Sequence, residues 1–325
     1  MILYAKGGIY IEFYSYQQPI FPLEIFYAKI PNHNPQKIYL QNQLNNIKTG
    51  LRGELNVQRY LEEFQFPADS VIIHNFHSMI HSKWHIQIDY LLISRKGILL
   101  IEVKNIAGHI EFQSKPRQIV RTLDNGTVQA MDCPFTQLER NVMGLKQLNL
   151  NIPNLSTQTL VVWANRSSRL SINEIPKPHT LIMMKSISLY LTSYFKGPNT
   201  LTSNEVSHLK TALLEKTIKQ RKTPFCQQYQ VNKLDIRKGL YCSLCHNQLK
   251  KHIRSWVCPE CKVDASEQLS ANILSLFDIF DSELKVEVIH EHIPELSVKQ
   301  IRSILKKLGM RNRGTGRGRI YFRED

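Results

Sequence analysis

Residues 86–104 read IQIDYLLISRKGILLIEVK, and this run constrains the chain more than any other. Two stretches, 86–94 and 98–104, are too rich in Ile, Leu and Val for a surface and predict a pair of buried strands. The link Arg95-Lys96-Gly97 is short and carries a glycine, as a tight hairpin requires. Pairing that is symmetric about this turn sets Asp89 opposite Glu102 and Gln87 opposite Lys104. Side chains alternate along a strand, so Glu102 and Lys104 share a face with the residues opposed to them. Facing carboxylates repel, and burying them without partners costs several kcal/mol. A divalent cation removes both objections. Mg²⁺ takes few protein carboxylates and keeps several waters, so it can turn a water into a nucleophile and stabilise charge on a phosphate. A nearby lysine suits orienting that water or stabilising pentavalent phosphorus. The structural alternative is a half-buried hairpin whose Glu and Lys merely pair across its end, and Asp89 in matching register weighs against it.

The pattern D-x12-E-V-K on a hairpin resembles the core of the PD-(D/E)xK nucleases. The fuller string is GLRGE at 50–54, QIDYLLI at 87–93, GILLIEVKN at 97–105, then Gly108. It resembles the nuclease-related (NERD) domain over roughly residues 45–165. Ile88 stands where the core motif's name has a proline. The resemblance implies an endonuclease-like fold and metal-dependent phosphodiester cleavage that leaves a 5′-phosphate. On it, Asp89 and Glu102 would hold one or two Mg²⁺ or Mn²⁺ ions, with the Val103 carbonyl completing the set. Lys104 would orient or polarise the attacking water, and Gln137 would lie near the site. Residues 48–64 predict a helix with Glu54, Val57, Leu61 and Phe64 on one stripe. Glu54 is thus a carboxylate on an apolar face, near Gly50 and Gly53, which permit close backbone approach. A helix-start glutamate favoured by the dipole is the plain reading. The resemblance matches Glu54 to the family's motif glutamate, supporting the metal or its water from behind the ligands.

Residues 1–47 read as a packing segment, with a hairpin around Gly7-Gly8, a short helix at 22–30 and a turn at 32–35. His74, His77, His81 and His85 lie on a strand-like and then loop-like pattern, where helical spacing means little, so a structural metal is not assigned to them. Beyond Lys104 come a turn at 105–108, a strand at 109–113, the hairpin turn Asp124-Asn125-Gly126 and a helix at 135–148 after Cys133-Pro134. Gln137 and Arg140 open that helix, whose first amides suit a phosphate. Arg140 reads equally as a solvated surface residue. A strand at 159–164 is expected to close the sheet, followed by a strand at 179–184 and a helix at 186–195. Gly197-Pro198-Asn199 marks a boundary near 200, and a helix at 203–220 runs into the basic segment 219–222.

The second strong signal is Cys242-x2-Cys245-x12-Cys258-x2-Cys261, the spacing of a closed structural Zn²⁺ site in a zinc ribbon. Cys133 and Cys226 read as core thiols. Lys250, Lys251, His252, Arg254 and Trp256 lie between the knuckles. Basic residues beside an aromatic suit single-stranded or distorted DNA, and a solvated loop with Trp256 packed on the metal core is the other reading. In the last segment, helices at 271–280, 283–292 and 298–308, the third capped by Ser297, precede a glycine-rich hairpin. This order resembles a winged helix-turn-helix. No acid occurs from 296 to 323, whereas Lys299, Arg302, Lys306, Lys307, Arg311, Arg313, Arg317, Arg319 and Arg323 do. That favours contacts with phosphate backbone.

At 325 residues and a formal charge of +15 the chain holds two or three domains and points to a polyanionic partner, nucleic acid first. It has no apolar run near the ~18 residues a membrane helix needs. Its first residues read as mature sequence, and four of its six cysteines at metal spacing fit a reducing cytoplasm. The expected fold class is α/β: an endonuclease-like mixed sheet flanked by helices, plus a zinc ribbon and a winged-helix-like module. The expected divisions are 1–47, 48–200, 201–235, 236–265 and 266–325. The expected function is metal-dependent hydrolysis of DNA, the later modules positioning the substrate, with double-stranded, single-stranded and branched DNA left open. The alternative is a DNA-binding or adaptor protein whose nuclease fold is inactive or partner-dependent. RNA is disfavoured for want of an aromatic RNA-binding strand motif.

Overall fold

The structure is a computed structural model that describes residues 2–6, 9–15, 20–153, 155–172, 174–217, 223–253, 255–263 and 265–323. The Gly7-Gly8 turn, the basic run 219–222 and Arg254 therefore lie outside the described residues, as does the side chain of Arg317. The chain forms two compact units, one of residues 1–17 with 48–220 and the other of 18–47 with 221–325. Residues 1–47 thus do not stay together.

The chain opens with β1 (Ile2–Lys6), β2 (Ile9–Ser15), α1 (Phe21–Lys29) and α2 (Gln36–Glu63). Next come β3 (Val71–His81), β4 (Trp84–Ser94), β5 (Gly97–Lys104), β6 (His109–Ser114), β7 (Arg117–Thr122) and β8 (Val128–Asp132). The first unit ends with α3 (Pro134–Gln147), β9 (Thr157–Trp163), β10 (Arg169–Ser171), β11 (Thr180–Met183), α4 (Ile187–Lys196) and α5 (Ser203–Lys216). Its main sheet is mixed, in the order β1-β2-β3-β4-β5-β9-β11. The pairs β3/β4 and β4/β5 are antiparallel, while β2/β3, β5/β9 and β9/β11 are parallel. A smaller sheet, β10-β6-β7-β8, follows the hairpin. The strand expected at 159–164 is β9, and the one expected at 179–184 is β11, which adds outside it, so β11 rather than β9 closes the sheet and β9 is paired on both flanks.

Alternation along β4, β5 and β9 sorts their side chains into two cores. Leu91, Ile93, Ile98, Leu100, Val161 and Trp163 pack with Phe135 and Leu138 of α3 and with Leu209 of α5. Tyr90, Leu92, Leu99, Ile101, Leu160 and Val162 pack on the opposite face with Val57 and Leu61 of α2 and Leu191 of α4. Each fully buried side chain of this size contributes about 1.5–3 kcal/mol. Covered on both faces, the strands read as continuous apolar runs. The turn is tight, with Ser94 paired to Gly97. Gly97 has φ +106°, and a Cβ there would come 2.2 Å from the Ser156 carbonyl oxygen, so glycine serves both the turn and the approach of β9.

In the second unit, α1 is joined by α6 (Phe225–Gln228), the hairpin β12 (Lys250–His252) and β13 (Ser255–Val257), and α7 (Ala265–Ile279). β14 (Glu283–Lys285), α8 (Val286–His292), α9 (Val298–Lys307), β15 (Arg311–Arg313) and β16 (Ile320–Phe322) complete it. One core holds Phe26, Leu40, Cys242, Cys258, Ile273, Ile301 and Leu305, so the cysteine knuckles and the last three helices share an interior. Residues 283–292 were expected to be wholly helical. Their first three form instead the edge of a small sheet, β14-β16-β15. Ser297 caps α9 as expected, its hydroxyl accepting from the Gln300 N–H (3.3 Å) while Gln300 Oε1 accepts from the Ser297 N–H (2.9 Å).

Candidate active site

The last ladder pair between β4 and β5 is Tyr90 with Ile101, the register a symmetric turn predicts. One step beyond it stand Asp89 and Glu102. The ladder gives way there to a side-chain bond, the Val103 N–H donating to Asp89 Oδ2 (2.8 Å). Gln87 does not become the partner of Lys104. It pairs with His77 across β3, and its amide donates to Asn75 Oδ1 (3.1 Å). The ladder to β5 has already ended at Tyr90, whereas β4 goes on pairing with β3 as far as Trp84.

Lys104 Nζ donates to Glu102 Oε1 (2.6 Å) and to Gln137 Oε1 (3.0 Å), so α3 and the end of β5 meet at this ammonium. Glu102 is 2% exposed, and its second carboxylate oxygen, Oε2, is buried with no hydrogen-bond partner among the described residues. Leaving such an oxygen unmet costs about 1–3 kcal/mol. Burial, and then the neighbouring Glu102 and Glu54 carboxylates, push the Asp89 carboxyl well above its ordinary value. Burial also raises Glu102, against the pull of Lys104. Burial acts to lower the Lys104 ammonium, but the Glu102 and Asp89 carboxylates outweigh it and hold the group above the usual lysine value.

Glu54 comes in from α2. Its carbonyl accepts from the Tyr90 hydroxyl (2.8 Å), and its carboxylate lies 3.0 Å from His74 Nε2. His74 is 2% exposed, stacks on Tyr90 with ring centroids 4.5 Å apart, and turns Nδ1 to the Ser15 hydroxyl (2.9 Å). His74 therefore orients Glu54, a role the sequence pattern did not reveal. His81 and His85 are exposed and His77 contacts Asn75 (2.9 Å). Among the described residues, only the four cysteines bring three or more metal-ligating side chains together. Glu54 thus stands behind the Asp89–Glu102 pair, within electrostatic range of both, rather than completing a three-carboxylate cluster.

A cleft of about 320 Å³ opens beside Gln137, lined also by Gln87, Arg117, Asp132, Thr136 and Arg140. Arg140 is exposed on that rim. Arg117 is engaged by both oxygens of Glu139 (2.7 and 2.9 Å), which also meets His179 Nε2 (3.1 Å).

In the second unit, the sulfurs of Cys242, Cys245, Cys258 and Cys261 all lie within 4.8 Å of one another, a group that could hold a metal ion. The Leu244 and Cys261 N–H groups donate to Cys242 and Cys258 Sγ, each at 3.4 Å. His246, next to the first knuckle, contacts the buried Glu24 of α1. Lys250 and Lys251 are exposed, and Trp256, opposite Lys251, packs against the core that contains Cys242 and Cys258. On α9, Lys299, Arg302, Lys306 and Lys307 are exposed. The hairpin is less free than an acid-free stretch suggests. Arg313 pairs with Glu283 of β14, and Arg323 reaches Asp278 (3.2 Å) and the Leu274 carbonyl (2.6 Å) of α7. Arg311 is exposed and Arg319 half-buried. No helix among the described residues is long and apolar enough to cross a membrane.

Residues 49–164 match the family model described as the nuclease-related domain, a span that includes Glu54, Asp89, Glu102, Lys104 and Gln137. No curated protein and no solved structure matches the chain.

Proposed function

The chain carries a nuclease-related domain, and on that premise we propose that it is a metal-dependent endonuclease hydrolysing DNA phosphodiester bonds. The observation that carries this reading is the meeting of Asp89, Glu102 and Lys104 at the end of β5, with Gln137 on the ammonium. The donor set fits a hard divalent cation: two desolvated carboxylates, one of them with a buried oxygen that no hydrogen bond among the described residues meets. Asp89 and Glu102, with the Val103 carbonyl, would hold Mg²⁺ or Mn²⁺. Bound there, the ion would supply an activated water and offset charge on the phosphate.

The remaining work falls to the chain's own groups. Lys104, kept protonated by its carboxylates, donates to the attacking water or to a phosphate oxygen. Gln137 fixes Lys104 through Oε1 and lies against the Glu102 carboxylate, while His74 holds Glu54 toward the pair. Water adds to phosphorus and the P–O3′ bond breaks, giving the 5′-phosphate and 3′-hydroxyl ends that the family resemblance implies. Zn²⁺ in the cysteine cluster would hold the ribbon as a structural ion. Lys250 and Lys251 of β12, with Lys299, Arg302 and Lys306 of α9, would bear on backbone phosphates as a winged helix does. The net charge of +15 supports a nucleic-acid substrate.

The test is cleavage of plasmid, single-stranded and branched DNA, and of RNA, with Mg²⁺. Lys104→Ala should lose roughly 100-fold or more in rate. Unchanged cleavage by that variant refutes the assigned site. DNA binding that persists in EDTA, with no cleavage in Mg²⁺ or Mn²⁺, would instead support the DNA-binding or adaptor reading.

A further inference from the structure

A second cleft, of about 450 Å³, lies between α2 and the residues that follow β5 and β9. Three guanidiniums line it, those of Arg52, Arg59 and Arg166, together with Asn56, Asn105 and Asn165. Arg52, Asn56, Arg59 and Glu63 follow one another at four- and three-residue steps, a single stripe of α2. Glu63 is the one carboxylate of the lining. All three arginines are exposed, and none has an ion-pair partner among the described residues. Arg117, beyond the other face of the sheet, is by contrast held by Glu139. Three guanidiniums against one carboxylate leave a net positive lining whose like charges repel, and an anion relieves that repulsion.

The floor of this cleft is built. The Asn105 side-chain amide donates to the Thr49 carbonyl (2.8 Å), the Asn165 amide to Asn105 Oδ1 (3.3 Å), and the Ala164 N–H to the Lys104 carbonyl (2.8 Å). A Cβ on Gly53 would lie 2.6 Å from Asn105 Cβ, so α2 sits directly on the strand end. Asn105 follows Lys104 in sequence, so the cleft begins one residue from the ammonium assigned to the reaction. The Gln137 cleft lies on the α3 side of the sheet and this one on the α2 side.

We propose that this cleft binds backbone phosphates of the nucleic-acid substrate next to the bond being cut, with Arg52, Arg59 and Arg166 as the phosphate ligands. A guanidinium offers a phosphate two parallel N–H donors. Three of them on a fixed floor position the strand across the end of β5 and carry no sequence information. The identity of the ligand rests on the endonuclease reading; the charge arrangement does not.

The experiment measures equilibrium binding of the full chain to a fluorescent DNA duplex in EDTA, from 50 to 200 mM salt, so that no cleavage enters. Each phosphate contact adds about 0.9 to the slope of log K against log salt. Replacing the three arginines by Gln (R52Q, R59Q, R166Q) should lower that slope by about 2.7. Wild type would then lose roughly 40-fold more affinity than the variant over this salt range. The corresponding triple Lys variant, which keeps the charges, should restore most of the slope, and unchanged melting curves exclude misfolding. A slope unchanged by the Gln variant overturns the proposal. So does saturable binding of a mononucleotide that depends on the three arginines while duplex binding does not. Lys104→Ala, assayed for cleavage in Mg²⁺, reports separately on the catalytic assignment: its failure would leave the slope result standing, and the converse holds.

Discussion

Replacing Asp89 by Asn should make the protein more stable while removing its metal response. Burial and the Glu102 and Glu54 carboxylates raise the Asp89 carboxyl well above its ordinary value, which is near 4 in an unfolded chain. Between those two values the folded state binds more protons than the unfolded one, so this group's contribution to stability falls as pH rises through that window. Asparagine keeps an oxygen to accept from the Val103 N–H and removes the charge. Relief of a poorly solvated charged group is worth about 1–3 kcal/mol, and each kcal/mol moves the melting temperature of a unit this large by roughly 2–4 °C. In EDTA at pH 7 the variant should therefore melt several degrees higher, and the gain should shrink toward zero as pH falls to about 4. With Mg²⁺ at a hundredfold excess over its dissociation constant, wild type should gain about 2.7 kcal/mol, whereas the variant, deprived of a ligand, should gain little. Melting curves at pH 7 and pH 4, with and without Mg²⁺, read all of this. A variant less stable than wild type in EDTA at pH 7, or one that Mg²⁺ stabilises equally, would refute the reasoning.

Two other substitutions probe the frame. Gly53→Ala puts a methyl 2.6 Å from Asn105 Cβ, so the helix-propensity gain of about 1 kcal/mol should be outweighed by an overpacking cost of about 1–3 kcal/mol; chemical denaturation should show a net loss. Cys258→Ser should abolish stoichiometric zinc, measured by elemental analysis. It should also lower the melting point of the second unit, because Cys258 shares its core with α7 and α9.

The hairpin was legible because its signals are local. Apolar runs, a glycine at the turn and alternation fix where Asp89 and Glu102 stand, and the observed pairing of Tyr90 with Ile101 follows them. The cysteine pairs were legible for the same reason, since spacing alone specifies a thiolate cage. What depends on distant elements was not. His74 meets Glu54 across twenty residues, and only the fold brings β3 beside α2. Arg52 and Arg166 lie far apart in sequence, and only the fold gathers them into one cleft. α2 begins at Gln36 rather than near 48, where the sequence predicts its start, because its first turns are rich in Asn and Gln, which mask the 3.6-residue period carried by Leu40 and Leu44. The freedom of the basic hairpin was overstated because the acids that engage it, Asp278 and Glu283, lie before the acid-free stretch begins.

The interior of the second unit is stitched from two pieces of chain separated by the whole of residues 48–220. Phe26, Ile30, Leu40 and Leu44 come from the early piece and Phe225, Ile273 and Ile301 from the late one. During synthesis the early piece emerges long before its partners exist, so its apolar side chains must wait until the residues beyond 221 have been made. The first unit cannot be isolated by trimming residues 221–325 alone, since that cut would strand those four residues in water.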